Sequence, residues 1–226
     1  MKVKYYGHSS FSVNTGGKNL LFDPFISPNA LAKNIDISSI EADYIFLSHA
    51  HEDHVADALA IAMNTQAKIV AIWEIAEWSI RNGHSNVHPM NIGGIREFDF
   101  GTVQLVTAIH SSSFKDGSYG GVAAGFVITS GGRTFYYSGD TALTLDMQLI
   151  PQRYKLDVTF LPIGSNFTMD VTDAVKASKF VQCNKVVGMH YNTFGYITID
   201  TEAAVKQFAE AGITLSLPPI GQEIEL

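Results

Sequence analysis

The hydrophobic positions of the chain fall mostly into short runs, separated by turns rich in glycine, serine and asparagine. Short runs with β-branched and aromatic residues are typical of strands, whereas helices need longer stretches with a period near 3.6. We predict strands at 3–6, 11–13, 19–22, 44–47, 68–72, 122–129, 134–137, 158–162, 185–189 and 214–217, a hairpin or paired strands within 98–108, and a last strand at the C-terminus.

Four segments have the longer apolar period of helices. We predict helices at 55–63, 74–81 and about 171–182, and a last one that ends at Gly212. Asp170 or Thr172 is expected to cap the third helix, and Asp200 or Thr201 the fourth, because their side chains can accept hydrogen bonds from free backbone N–H groups. Residues 26–41 are polar and are expected to be irregular.

Strands come first along the chain, then mixed strands and helices, and this order occurs twice. Two mixed sheets that pack face to face, with helices outside, would bury every apolar face in this pattern. The chain has no linker and no internal repeat, so we predict a single domain over 1–226.

Composition and charge narrow the possible functions. The chain is 46% hydrophobic and 16% charged, with a formal net charge of −7, which disfavours a general nucleic-acid binder. The only cysteine is Cys183, so a disulfide framework is impossible and a reducing, cytoplasmic location is expected. We find no signal-like apolar segment and no run long enough to span a membrane.

Three histidines and an aspartate lie within six residues, after the predicted strand at 44–47: His49, His51, Asp53 and His54. Imidazole and carboxylate groups at this density are typical ligands of a divalent metal ion. A solvated polar loop is the alternative, but three clustered histidines without a metal would repel one another when charged.

Four more candidates, Asp23, His110, Asp140 and His190, each follow a predicted strand. Strand ends at one edge of a sheet direct their side chains into one crevice, so we expect these residues to join the histidine loop. The candidate ligands are sufficient for two ions, each with a position left for water, and Asp140 could bridge them. The seven are His49, His51, Asp53, His54, His110, Asp140 and His190.

The order H-x-H-x-D-H, a lone histidine, a strand-end aspartate and a strand-end histidine resembles the metallo-β-lactamase superfamily. The chain is most similar to its small cytoplasmic branch of metal-dependent hydrolases, which is related to the ascorbate-6-phosphate lactonase group. The resemblance covers essentially the whole chain. It is carried by 6–9, 22–25, 86–90, 110–112, 139–143, 161–164 and 190–194.

This resemblance implies an α/β (α+β) fold, a four-layer αββα sandwich with a dinuclear site at one edge. The ligands of one ion would be His49, His51 and His110. The ligands of the other would be Asp53, His54 and His190. Asp140 would contact both ions, and Asp23 would orient a ligand histidine.

The ligand types indicate which metal to expect. Related di-iron oxidoreductases carry glutamate at the position of His51, and a first site made of nitrogen atoms suits zinc better than an oxygen-activating iron pair. Two divalent ions, most simply zinc, are therefore expected. Carboxylates at the second site leave manganese, iron or nickel open.

The leading hypothesis is a hydrolase in which a hydroxide bridged by two ions attacks an ester, lactone or phosphodiester, with Asp53 as the catalytic proton acceptor or relay. Two alternatives are a metal-binding protein without turnover and a nuclease of the same fold. A nuclease arm has little room in 226 residues with a net charge of −7. We expect a small-molecule substrate, no nucleic acid and no membrane partner, and the oligomeric state is left open.

Candidate substrate contacts lie beside the predicted site strands. His8, Asn166 and Asn192 are predicted to bind substrate, although His8 could equally cap a turn. His84 and His88 lie near a helix end and a proline, where structural roles are more common than metal ligation.

Overall fold

The structure, a computed structural model that describes residues 1–226, contains two mixed sheets of seven strands each. The first sheet consists of β1 (Lys2–Gly7), β2 (Ser10–Thr15), β3 (Lys18–Phe22), β4 (Tyr44–Leu47), β5 (Lys68–Ile72), β6 (Val87–Met90) and β14 (Glu223–Glu225). The second consists of β7 (Ile95–Phe98), β8 (Gly101–Thr107), β9 (Ala124–Ser130), β10 (Arg133–Tyr137), β11 (Val158–Pro162), β12 (Lys185–Met189) and β13 (Thr214–Ser216).

Each sheet has an antiparallel half and a parallel half. The first has the order β14-β1-β2-β3-β4-β5-β6, in which β3 to β6 are parallel. The second has the order β13-β12-β11-β10-β9-β8-β7, in which β10 to β13 are parallel. Phe22 pairs with Phe46, and Tyr137 pairs with Phe160, so neighbouring parallel strands end nearly level. Their carboxyl ends therefore open onto a common edge.

Helices cover the outer face of each sheet. They are α1 (Glu52–Val55), α2 (Ala58–Thr65), α3 (Trp73–Arg81), α4 (Val171–Phe180) and α5 (Thr201–Glu210), with a longer 3-10 helix at Leu145–Gln152. Helices α1, α2 and α3 pack on the first sheet. The 3-10 helix, α4 and α5 pack on the second sheet. The predicted α/β class and αββα sandwich are confirmed. No helix is long and apolar enough to cross a membrane.

Alternation along the strands separates three hydrophobic layers. On β4, Phe46 is buried between the two sheets, whereas Ile45 is buried under the helices of the first sheet. On β10, Phe135 and Tyr137 lie between the sheets and Tyr136 faces the helices of the second sheet. Successive strand residues point to opposite faces, so strands buried on both faces need the continuous apolar runs seen in the sequence.

The predicted continuous helix at 55–63 is wrong. The structure has two short helices here, and Asp57 lies between them. Its carboxylate accepts hydrogen bonds from the backbone N–H groups of Ile26 (2.7 Å) and Ser27 (2.8 Å), and from the Ser27 hydroxyl. These bonds tie the irregular segment after β3 to the histidine loop, and they compete with a regular helix at this position.

Several elements were not predicted, among them β6 and the longer 3-10 helix. Strand β6 contains Pro89, which lacks a backbone N–H donor, and the proline is tolerated because β6 lies at the edge of its sheet. The 3-10 helix at Leu145–Gln152 contains Pro151. The hairpin predicted within 98–108 exists, but its first strand already begins at Ile95. Both predicted helix caps exist, as Asp170 and Asp200.

Candidate metal centre

All seven predicted ligands lie at the common edge. His49 follows β4 closely and His190 follows β12 directly, while Asp140 and His110 lie in the loops after β10 and β8. β8 and β10 both pair antiparallel with β9, so they run in the same direction and end at the same edge. The predicted ligands therefore come from loops of both sheets.

A first group consists of His49, His51 and His110, whose ring nitrogens lie within 4.8 Å of one another. His49 Nε2 lies 3.0 Å from His51 Nδ1. The His110 ring centroid lies 4.9 Å from that of His49 and 5.0 Å from that of His51. Ser111 Oγ lies 3.3 Å from the other ring nitrogen of His51. Three nitrogen donors therefore converge on one point.

A second group consists of Asp53, His54 and His190, together with His8, and its donor atoms also lie within 4.8 Å of one another. His190 Nε2 lies 3.8 Å from Asp53 Oδ2. The rings of His54 and His190 have centroids 5.8 Å apart. This group combines nitrogen and carboxylate donors.

Asp140 connects the two groups. Its Oδ2 atom lies 2.9 Å from His190 Nε2, 3.4 Å from His54 Nε2 and 3.6 Å from His110 Nε2. Gly139 lets the loop approach the first sheet, because a Cβ atom there would lie 2.6 Å from Ser48 Cβ, and its φ is +59°. One carboxylate therefore reaches a histidine of the first group and two of the second.

The donor atoms fit divalent metal ions. Three buried atoms of the cluster have no hydrogen-bond partner: His54 Nε2, Asp140 Oδ1 and His190 Nδ1. Buried polar atoms are nearly always partnered, and divalent cations bind the free nitrogen and oxygen donors of imidazoles and carboxylates. The residues present could hold one ion in each group.

Asp23 organises a ligand from each group. Its Oδ2 atom accepts hydrogen bonds from His54 Nδ1–H (2.9 Å), the Ser48 hydroxyl (2.6 Å) and the Tyr137 hydroxyl (2.8 Å). The Ser48 hydroxyl oxygen lies 3.0 Å from His49 Nδ1, which can donate to it because the hydroxyl proton is directed to Asp23. Both histidines are thereby oriented with Nδ1 toward these partners and Nε2 toward the cluster.

Charge in the cluster separates the histidines into two kinds. Burial lowers the pKa of His49, His51 and His110, which favours neutral imidazoles in the first group. For His190, burial also opposes the charge, but the Asp140 carboxylate outweighs it and raises the pKa to about 9. His190 is therefore protonated near neutral pH in the metal-free protein, whereas burial lowers the pKa of its neighbour His8 to about 4.

Two other pKa values follow from the same neighbours. Burial opposes protonation of His54, yet Asp140 and Asp23 together raise its pKa well above the usual value. Burial disfavours ionised Asp140, but His190 and His54 hold its pKa well below the usual range. Asp140 is therefore an ionised carboxylate despite its burial, as a ligand that bridges two cations needs to be.

Backbone strain is concentrated at this edge. Of the eight non-glycine residues with positive φ, six lie in the loops that form it. They are His8, Asp23, Ser165, Asn166, His190 and Asn192. Side chains in this conformation cost of order 1–3 kcal/mol each, and such residues cluster at functional sites.

The predicted substrate contacts have three different surroundings. His8 is buried; its Nε2 lies 3.0 Å from Asp53 Oδ2 and its Nδ1 lies 3.0 Å from Thr193 Oγ1. Asn192 is exposed, and its side-chain oxygen accepts the Ile199 backbone N–H at 2.8 Å. The substrate-binding role of both residues stays a prediction.

Asn166, the third predicted contact, is exposed in the loop after β11 at the same edge. His84 and His88 lie elsewhere. His84 is buried with Nε2 2.9 Å from the Ala67 carbonyl oxygen, and His88 lies on β6 against Phe98. Both positions agree with structural roles.

Sequence reasoning missed four residues that support the site: Ser48 and Ser111 contact the predicted ligands His49 and His51, Tyr137 contacts Asp23, and Thr193 contacts His8. Tyr137 directly precedes the Ser138-Gly139-Asp140 turn and donates its hydroxyl proton to Asp23, which lies 114 positions away. No local pattern reveals such a contact. The Ser-His pair at Ser48 and His49 was the one signal that could have identified a partner.

The comparisons with known proteins agree with this geometry. A sequence profile of the beta-lactamase superfamily domain matches residues 2–190. Two relatives named UPF0173 metal-dependent hydrolase, from Flavobacterium johnsoniae and Christiangramia forsetii, are 54% and 53% identical, with 100% of both chains covered in each case. The solved structure of the metallo hydrolase Igni18 from the archaeon Ignicoccus hospitalis is 34% identical; the match covers 99% of this chain and 97% of that one, with a TM-score of 0.89. This protein therefore belongs to the metal-dependent hydrolase family of the metallo-β-lactamase superfamily.

Proposed function

We propose that this protein hydrolyses a small-molecule ester, lactone or phosphodiester with two divalent metal ions, one in each group of ligands. The observation that carries the proposal is Asp140, whose ionised carboxylate lies within 3.6 Å of a histidine in the first group and of two in the second. A carboxylate shared in this way is typical of sites where two ions lie about 3.5–4 Å apart.

Two ions bound there would lower the pKa of a water molecule, and so supply a nucleophile at neutral pH, and would stabilise negative charge on the substrate oxygen. The chain's own part is to fix the donors. Asp23, through Ser48 and directly, holds His49 and His54 in the tautomer that leaves Nε2 free. Burial of Asp140 and His190 excludes bulk water and strengthens each charge interaction.

Asp53 is the group placed to accept or relay a proton. It is less buried than Asp140, and its Oδ2 atom contacts His8 at 3.0 Å and lies 3.8 Å from His190. Burial opposes its charge, but the nearby His190 imidazole and the hydrogen bond with His8 hold its pKa below the usual value. An ionised carboxylate at the open side of the cluster can take the proton of the attacking water and pass it to the leaving group.

Zinc is the simplest occupant of the first group, since three imidazoles and no thiolate form it. The carboxylates of the second group also suit manganese, iron or nickel. A reducing cytoplasm fits the free, buried Cys183. A small-molecule substrate fits the net charge of −7, which disfavours polyanions.

The test is turnover that depends on metal. Purified protein would be stripped with a chelator, reloaded with zinc or manganese, and assayed against p-nitrophenyl esters, lactones and bis-p-nitrophenyl phosphate. We expect hydrolysis of at least one substrate class, its loss in stripped protein, its recovery on reloading, and its loss in His51→Ala. Protein that binds two equivalents of metal but hydrolyses no member of the panel would contradict the proposal and favour a metal-binding role without turnover.

A further inference from the structure

Exposed apolar side chains surround the candidate metal centre. Most of the loops that form the site edge carry at least one large apolar residue with more than a third of its surface exposed. Examples are Leu31 after β3, Ile109 and Tyr119 after β8, Phe167 after β11, and Phe194 and Tyr196 after β12. Exposed apolar groups beside a polar site are typical of a ligand-binding surface.

Three of these residues form what we call the aromatic rim: Phe167, Phe194 and Tyr196, which are 51%, 37% and 79% exposed. The Phe194 ring lies 5.2 Å from the ring of His8, whose Nε2 contacts Asp53. Phe167 and Tyr196 have ring centroids 6.1 Å apart in an edge-to-face arrangement. Only His8 therefore lies between Phe194 and the predicted metal ligand Asp53.

The backbone fixes the rim beside the cluster. Gly164 lies so close to the second-group ligand His190 that a Cβ atom there would be 2.0 Å from the His190 carbonyl oxygen. The Asn192 backbone N–H donates to the Ile197 carbonyl oxygen at 2.8 Å, which closes the loop that carries Phe194 and Tyr196. The aromatic side chains are thus held by the same two loops that position the ligand.

Cations are scarce at this edge. No lysine or arginine occurs in 48–57, 138–144, 163–170 or 190–200. Lys33 and Lys115 lie in other edge loops, and the ammonium of Lys115 is paired with Glu52 at 3.0 Å. Sites that recognise phosphate usually surround it with arginine, lysine or several backbone N–H groups, so this edge lacks the usual clamp for a phosphate ester.

We infer that the substrate is a neutral carboxylic ester or lactone whose apolar chain or ring lies on the aromatic rim, and that it is not a phosphate ester. This inference rests on the proposed hydrolysis. In the reaction a water oxygen bonds to the carbonyl carbon, the carbon–oxygen bond to the leaving group breaks, and the leaving alcohol takes up a proton. The products are a carboxylic acid and an alcohol, or a hydroxy acid from a lactone.

The first measurement compares p-nitrophenyl acetate, butyrate and octanoate with bis-p-nitrophenyl phosphate in zinc-loaded protein. We expect kcat/KM to rise about twofold for each added methylene, about half the effect of complete burial because the rim stays partly exposed. The phosphodiester should be at least 100-fold poorer than octanoate. Equal rates along the ester series, or a preference for the phosphodiester, would overturn the inference while leaving hydrolysis established.

Substitutions in the aromatic rim test whether these residues cause the chain-length preference. Tyr196→Ala and Phe194→Ala should each raise KM for octanoate about fivefold and leave KM for acetate within twofold. Val205→Ala, a matched exposed apolar residue on α5, and Lys115→Met should leave both values unchanged. Rim variants that alter the sedimentation coefficient without changing the chain-length preference would instead assign the rim to an interface between copies of the chain.

A binding measurement separates the two proposals. Calorimetry with stripped protein would compare octanamide, acetamide and inorganic phosphate, which need no turnover. We expect octanamide to bind at least tenfold more tightly than acetamide, and this difference to disappear in Tyr196→Ala. If that holds but no ester is hydrolysed, the apolar subsite stands and the proposed hydrolysis fails. Tighter binding of phosphate, or no difference between the amides, would overturn the inference.

Discussion

Replacement of Asp23 by asparagine tests how the ligands are held. The Oδ1 atom of Asp23 accepts the Ser48 backbone N–H at 2.8 Å, so an asparagine would keep its oxygen there and place its NH2 group where Oδ2 now lies. That group is a donor, and it faces three donors. The hydroxyls of Ser48 and Tyr137 can rotate away, but His54 can respond only by moving its proton to Nε2, which blocks metal binding.

The same substitution reaches His49. Once the Ser48 hydroxyl no longer donates to residue 23, its proton can turn toward His49 Nδ1, and the imidazole then also prefers the tautomer protonated at Nε2. Loss of an outer hydrogen-bond partner usually weakens metal affinity about 10- to 100-fold. Since Asp23 acts on one predicted ligand in each group, we expect the affinity for both ions to decrease by this factor. The free energy of unfolding should also decrease by about 1–3 kcal/mol, because a buried donor loses its acceptor.

The assay is competition for zinc with a chromophoric chelator, run in parallel with urea unfolding of stripped protein. Ser48→Ala is the selective control, because it removes only the link between Asp23 and His49. It should lower the affinity only for the ion in the first group. Asp57→Asn is the matched control for stability: Asp57 is also a buried carboxylate with several hydrogen bonds, but its partners are Ile26 and Ser27, not a ligand. Zinc affinities in Asp23→Asn equal to those of Asp57→Asn would refute the tautomer argument.

Three further predictions concern the ligands themselves. Asp140→Ala should lower kcat more than His51→Ala and move the acidic limb of the pH–rate profile further upward, because only Asp140 is placed to hold both ions; near-native kcat with an unshifted limb would exclude the bridging role. His51→Ala and His190→Ala should each lose one equivalent of metal, and substituted cobalt spectra should differ between them; full metal content in both would contradict the division into two groups. The raised pKa values of His54 and His190 mean that both must lose a proton to bind metal. Metal affinity should therefore increase roughly tenfold per pH unit for each proton released, up to about pH 9. An affinity that does not depend on pH between 6 and 9 would show that neither proton is displaced.

The ligand cluster could be predicted from sequence because its members obey local rules. Four of them lie within six residues, and His110, Asp140 and His190 follow strands that the apolar pattern identifies. Parallel strand ends share an edge, so placement on strands was enough to group the side chains. The layer structure could be predicted for the same reason, since alternation along β4 and β10 determines which face each residue buries.

Other features depend on contacts between distant parts of the chain. The carboxylate of Asp57 ends a helix early because it bonds to a loop 30 residues before it. Tyr137 reaches Asp23 across the space between the sheets, where its phenol pKa is raised well above the usual value by burial and by Asp23. The edge strand β6 contains Pro89, and no local pattern shows that this segment pairs with β5. Propensity and spacing contain none of this information.

The claim that two ions share the carboxylate of Asp140 is tested most directly by anomalous diffraction from crystals of the zinc-loaded protein, recorded on both sides of the zinc absorption edge. We expect two anomalous peaks about 3.5–4 Å apart, with Asp140 within bonding distance of both. One should lie beside His49, His51 and His110, and the other beside Asp53, His54 and His190. A single fully occupied peak after loading with excess zinc, or two peaks of which only one contacts Asp140, would contradict it.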